Sequence, residues 1–172
     1  MSSILQEYQK SAGFPAKIGL FTSPHLKAVR ERIQVNGSPI SEQEFANTFF
    51  AVWDRLEESV TSLNHAAQAS KPVYFRYLTL MSWHYFLEQK IDTAIFEVGV
   101  GGEYDSTNLI QKPIITGITS LGMDHMTVLG NTIESIAWHK AGIMKPGVPV
   151  YTVPQPDGAM AVLEQRAAER EV

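Results

Sequence analysis

With 172 residues, 44% hydrophobic and 19% charged, the chain is long enough for a globular domain with a core and too apolar for a disordered tail. A net charge of −4 argues against a strongly basic nucleic-acid surface, and the lack of cysteine excludes disulfides and thiolate metal sites and suits a reducing compartment. No stretch reaches the roughly 18 apolar residues of a membrane span, and the opening MSSILQEYQKSAGF lacks the charged start and apolar core of a signal peptide.

Residues 3–10, SILQEYQK, read as the end of a helix stopped by Gly13 and Pro15. KIGLFT (17–22) is a short apolar strand, and the loop SPHLKAVRERIQVNGSPIS follows it. Within that loop RIQV and SPI flank Asn36-Gly37, a two-residue hairpin signal. Ser41 and Glu44 form an S-x-x-E capping box ahead of Phe45, Phe49, Val52, Trp53, Leu56 and Val60, whose spacing predicts an amphipathic helix. HAAQASKP (65–72) reads as a loop, and VYFRYLTLMSWHYFLEQK (73–90) is apolar nearly all round, as a buried helix is.

DTAIFEV (92–98) and PIITGITS (113–120) are continuous apolar runs of strand length, suited to a parallel sheet covered on both faces. Asn131 and Glu134 would cap a helix over TIESIAWHKAG, with Gly142 as its stop. Pro146-Gly147 marks a turn before the strand VPVYTV (148–153), and PDGAMAVLEQRAAEREV opens a last helix. The alternation predicts an α/β fold built on a mostly parallel sheet flanked by helices.

Ligands of open parallel sheets gather at the carboxyl ends of the strands. Four groups fall there: Thr22 to His25, Glu97, Ser120 to His125, and the loop Asp105 to Asn108. The glycine cluster after Glu97 is not a dinucleotide fingerprint, because G-x-G-x-x-G from Gly99 would need glycine where Tyr104 stands. A Walker loop, G-x-x-x-x-G-K-[ST], is nowhere in the chain. A carboxylate at a strand end, an imidazole and a serine hydroxyl suit a hard cation such as Mg²⁺, with phosphate oxygens as further ligands. The plainer alternatives are Glu97 paired with an arginine and His125 bonded to backbone. His84 reads as a satisfied core histidine and His65 as solvated, with His25 and His139 open. The aromatic crowd at 74–86 reads as core, Arg30-Glu31-Arg32 as a charged surface run, and Lys140 as a cation at a helix end.

The motifs LFTSPHL..VRERI.VNG.PIS, YF..LTLM....F, D.AIFEVG.GG.YD.TN and SLG.DH...LG.T...IA..KAGI.KPG.P, in this order, resemble the folylpolyglutamate synthase family of the Mur ligase superfamily, its eukaryotic form most closely. The resemblance runs from about Ile4 to the end. It implies part of a P-loop-NTPase-like ATPase domain over 1–172, beginning after the P-loop and its strand and ending before the C-terminal glutamate-ligase domain. It implies a ligase of one-carbon metabolism that uses MgATP to add L-glutamate to the γ-carboxyl of folate through an acyl phosphate, in the cytoplasm, the mitochondrion or both. Dihydrofolate synthase and a non-catalytic binding fragment are the alternatives. By position, Ser23, Glu97 and His125 match Mg²⁺ ligands. Lys140 matches a lysine that family members carry as a carbamate, and Asp105 a residue on the pterin side of the folate site; these two are the catalytic candidates. Thr107, Asn108 and Arg32 join Asp105 as substrate-binding candidates. The glycines at 99–102 are expected to let backbone approach the ligand. As a 172-residue polypeptide without the phosphate cradle, the chain is expected to be inactive and to present sheet edges that invite self-association.

Overall fold

The computed structural model describes residues 1–62 and 71–172, which form two compact units, Met1–Glu97 and Val98–Val172. The loop expected over 65–72, with His65, lies outside the described residues apart from Lys71 and Pro72.

The first unit opens with α1 (Ser2–Ala12), which Gly13 ends in the left-handed region at φ 71°. β1 (Ile18–Phe21) lies between two partners. It pairs antiparallel with β2 (Ile33–Val35) and parallel with β4 (Thr93–Phe96), in register from Ile18 on Thr93 to Phe21 on Phe96. β2 turns at Asn36-Gly37 into β3 (Ser38–Pro39), both turn residues having positive φ, as a primed hairpin turn requires. The sheet order is β3-β2-β1-β4, so this sheet is mixed where a mostly parallel one was expected: the hairpin after β1 folds back on it before the chain crosses over to β4.

α2 (Glu42–Ser62) begins at the expected capping box: Glu44 N–H donates to Ser41 Oγ at 3.2 Å, and Ser41 N–H donates to Glu44 Oε2 at 2.8 Å. α3 (Tyr74–Glu88) buries Tyr77, Leu78, Met81, Tyr85 and Phe86 against Phe21, Ile33, Ile40 and Val52, so the aromatic run is core, with Tyr74 exposed at its start. Two tyrosine hydroxyls tie the helices together: Tyr77 donates to Phe49 O and Tyr85 to Glu44 Oε1. His84 is only partly satisfied. Its Nδ1 lies 3.2 Å from Arg55 Nη1, while Nε2 is buried without a hydrogen bond, 3.4 Å from Glu88 Oε1.

In the second unit β5 (Thr116–Ile118) pairs parallel with β6 (Val150–Thr152). Between them run α4 (Met126–Leu129) and α5 (Ile133–Lys140), with a 3-10 turn over Ala141–Ile143. α6 (Asp157–Glu169) packs on α5, and Ile118, Leu121, Ala137, Ala141, Met144, Ala159 and Leu163 form the core. The N-cap of α5 is Thr132, not Asn131: the Thr132 hydroxyl accepts from Ser135 N–H at 3.2 Å. The expected cover on both faces is also incomplete. Ile114 is 85% and Tyr151 66% exposed, before and within a sheet of two strands.

Candidate functional site

β1 and β4 are parallel neighbours, so TSPH and Glu97 leave the sheet at the same end. Thr22 Oγ1 and the Ser23 N–H both donate to Glu97 Oε2, the latter at 2.7 Å. The Glu97 N–H in turn donates to Phe21 O at 2.9 Å, which extends the ladder one residue past the strand. Glu97 is exposed, and its Oε1 has no donor among the described residues. Among the described residues a hydroxyl and an amide, and not the arginine of the plainer alternative, are the partners of Glu97. The structure thus brings Ser23 and Glu97 together and joins Thr22, the first residue of the strand-end group, to a partner 75 residues away.

The loop after Ser23 is held by Glu31. Its two oxygens accept from the N–H groups of Leu26, Lys27 and Ala28 at 2.9, 3.1 and 2.8 Å. Those bonds, Leu26 and Ala28 foremost, hold its carboxyl below the usual carboxylate range. Arg32 is buried at 9% exposure, donates through Nε to His25 Nδ1 at 2.9 Å and lies 5.5 Å from the centre of the Tyr74 ring. Arg30 donates to Ile40 O. Arg30-Glu31-Arg32 is thus not a solvated charge run; each side chain orders the segment from 25 to 40.

In the second unit Asp105 shapes its own loop. Its Oδ2 accepts from Val100 N–H at 3.0 Å, and its Oδ1 accepts from the Thr107 N–H and hydroxyl at 2.9 and 2.6 Å. Thr107 is buried, and Asn108 Nδ2 reaches Glu103 O and Gly142 O at 3.2 and 3.0 Å. Asp105, Thr107 and Asn108 thus form one knot. The bare backbone before it has a use inside the protein: a Cβ on Gly102 would stand 2.8 Å from His139 O. Lys140 ends α5 half-buried, with no hydrogen-bond acceptor among the described residues. His125 has left-handed backbone at φ 49° and precedes α4; its ring, 48% exposed, lies 3.6 Å from Asp124 Oδ2. It belongs to the second unit and Glu97 to the first. Among the described residues no group of three or more His, Asp or Glu side chains gathers to hold a metal, a count that one Ser, one Glu and one His do not reach.

No family model matches the chain. It is 57% identical over 171 residues to the probable folylpolyglutamate synthase of Schizosaccharomyces pombe, with 98% of this chain and 33% of that protein covered. It is 54% identical over 172 residues to the folylpolyglutamate synthase of Neurospora crassa, with 100% of this chain and 33% of the relative covered. The chain thus spans about a third of the length of the curated relatives it matches. Among solved structures, an FPGS-AMPPCP-folate complex superposes with a TM-score of 0.87 at 34% identity, covering 98% of this chain and 39% of that one.

Proposed function

We propose, for a chain that belongs to the folylpolyglutamate synthase family along its length, that it forms part of a ligase that adds L-glutamate to the γ-carboxyl of a folate at the expense of ATP. The observations that carry this reading lie one in each unit. Among the described residues Glu97 keeps one oxygen without a donor beside Ser23, and the Asp105–Asn108 knot is bonded through Asn108 to Gly142 O, two residues after Lys140.

A carboxylate is a poor acyl donor until one of its oxygens becomes part of a leaving group. In the proposed reaction the γ-phosphoryl of ATP passes to the folate γ-carboxylate, ADP leaves, the glutamate amine attacks the acyl carbon, and the tetrahedral intermediate collapses to the amide with loss of phosphate. The donor set of the first unit fits a hard cation, because Glu97 and Ser23 offer oxygen. Ser23 and Glu97 would hold Mg²⁺, which when bound neutralises phosphate charge. Thr22 and the Ser23 amide fix Glu97 Oε2 and so aim Oε1. Arg32, held by His25 and Tyr74, is a buried cation suited to a substrate carboxylate. Asp105, Thr107 and Asn108 present a loop of fixed shape to the pterin side. Lys140 supplies an amine, and as a carbamate it would supply an anion.

The 172 residues contain no Walker loop, so as a separate polypeptide they are expected to hold MgATP poorly. The test therefore places residues 1–172 in the matching third of the Neurospora crassa relative. ADP release is followed with MgATP, glutamate and tetrahydrofolate each omitted in turn. Release needing all three, and reduced at least about a hundredfold by Glu97→Ala, is the expected result. Release without folate, or unchanged by Glu97→Ala, would sink the proposal. Dihydropteroate as acceptor separates this activity from dihydrofolate synthase. Rescue of Lys140→Ala by added acetate or formate would mark an anion, and hence the carbamate, as the working form.

A further inference from the structure

Three segments of the second unit meet at Glu103. Its Oε2 accepts from Arg166 Nη2 and Arg170 Nη2, both at 2.5 Å, and its side chain is 20% exposed. Arg170 donates through Nη1 to Gly142 O at 3.1 Å and Met144 O at 3.0 Å. Gly142 O also takes the Asn108 amide. The Glu103 N–H donates to His139 O at 2.8 Å, one residue before Lys140. The backbones themselves abut: a Cβ on Gly142 would stand 2.2 Å from Glu103 Cα, so only glycine fits. Arg166 is placed in turn by Trp138, whose ring centre lies 4.5 Å from the guanidinium.

We propose that Glu103 is a positioning residue: with Arg166 and Arg170 it fixes the loop that carries Asp105 against the helix end that carries Lys140. The inference rests on the roles given to Asp105 and Lys140 above. Neither residue has a bond to the other: the Asp105 N–H donates to Gly102 O beside Glu103, and His139 O beside Lys140 accepts from the Glu103 N–H. One carboxylate faces two guanidinium groups in a half-buried web, so removing its charge leaves Arg170 without its acid and Arg166 with Glu169 alone, 3.6 Å away, and frees the two segments to drift apart. Misplacement by about 1 Å can cost a reaction on the order of a hundredfold.

Glu103→Gln keeps the shape and removes the charge. In the grafted enzyme the expected result is a kcat at least about tenfold lower per folded molecule, with KM for MgATP unchanged. A fold defect alone would lower the amount of active enzyme and leave its kcat intact. Hydrogen exchange on the 172-residue chain gives a readout independent of activity: the amides of Glu103, Thr107 and Asn108 should exchange faster in the variant. If Glu103→Gln does not fold, Arg166→Gln, which leaves the Arg170 arm in place, should show a smaller change of the same kind. Unchanged kcat per folded molecule, or unchanged exchange at those amides, overturns the proposal. A silent wild-type graft overturns the ligase reading and the positioning role with it, and faster exchange in the variant would then show that the web holds the loop for some other chemistry.

Discussion

Glu31 shows how one carboxylate can order a loop that has no regular structure of its own. Because its three amide bonds lower the folded-state pKa below 4.5, the unfolded chain takes up the proton first as pH falls. The stabilisation is complete above 4.5 and is lost as pH drops through the lower folded value. Glu44 has the same sign, through its bonds from Ser41 and Tyr85. Glu31→Gln is therefore expected to flatten the acid limb of denaturant midpoints; an unaltered limb would count against the role. Lys145 runs the other way. Burial foremost, then Arg170, pushes its pKa below 10.5 against the pull of Glu103. The unfolded chain then holds that proton to higher pH, so stability rises as pH climbs from the folded value toward 10.5. Lys145→Met should raise the midpoint at neutral pH and remove that alkaline rise, and an unchanged alkaline slope would contradict it.

At the scale of elements, the capping box of α2 has the most direct consequence. Ser41→Ala removes the acceptor for Glu44 N–H and is expected to cost about 1 kcal/mol, read as a lower urea midpoint. That box, the Asn36-Gly37 turn and the apolar faces of α2 and α3 were legible because each is written within a few neighbouring residues. What the chain order hides is legible only in three dimensions. The return of β2 against β1 makes the sheet mixed, although each strand alone reads correctly. α4 is four residues long behind a left-handed His125, too short for any periodicity. The same division runs through the candidate site. Glu97, Asp105 and His125 stand out beside glycines and strand ends. Thr22, His25 and Glu103 acquire their meaning from partners folded onto them, Glu103 from arginines 63 and 67 positions away.

For the molecule as a whole, the apolar surface of the second unit sets its behaviour in solution. Ile114, Ile115, Tyr151 and Val153 are 85, 40, 66 and 45% exposed around a sheet of two strands, an arrangement that invites pairing. The 172-residue chain is expected to show concentration-dependent association in sedimentation velocity, reduced by Ile114→Lys with Tyr151→Lys. A monomer at every concentration would refute that. The three tryptophans are divided between the units, and two of them stand beside candidate chemistry. Trp83 stacks on Phe96, the neighbour of Glu97, with ring centres 4.2 Å apart. Trp138 lies under Arg166, one bond from Glu103. The chain therefore carries its own optical reporters. With single-tryptophan variants, emission from Trp83 would register cation loading at Glu97, and emission from Trp138 would register release of the Glu103 web, each in real time and without a label.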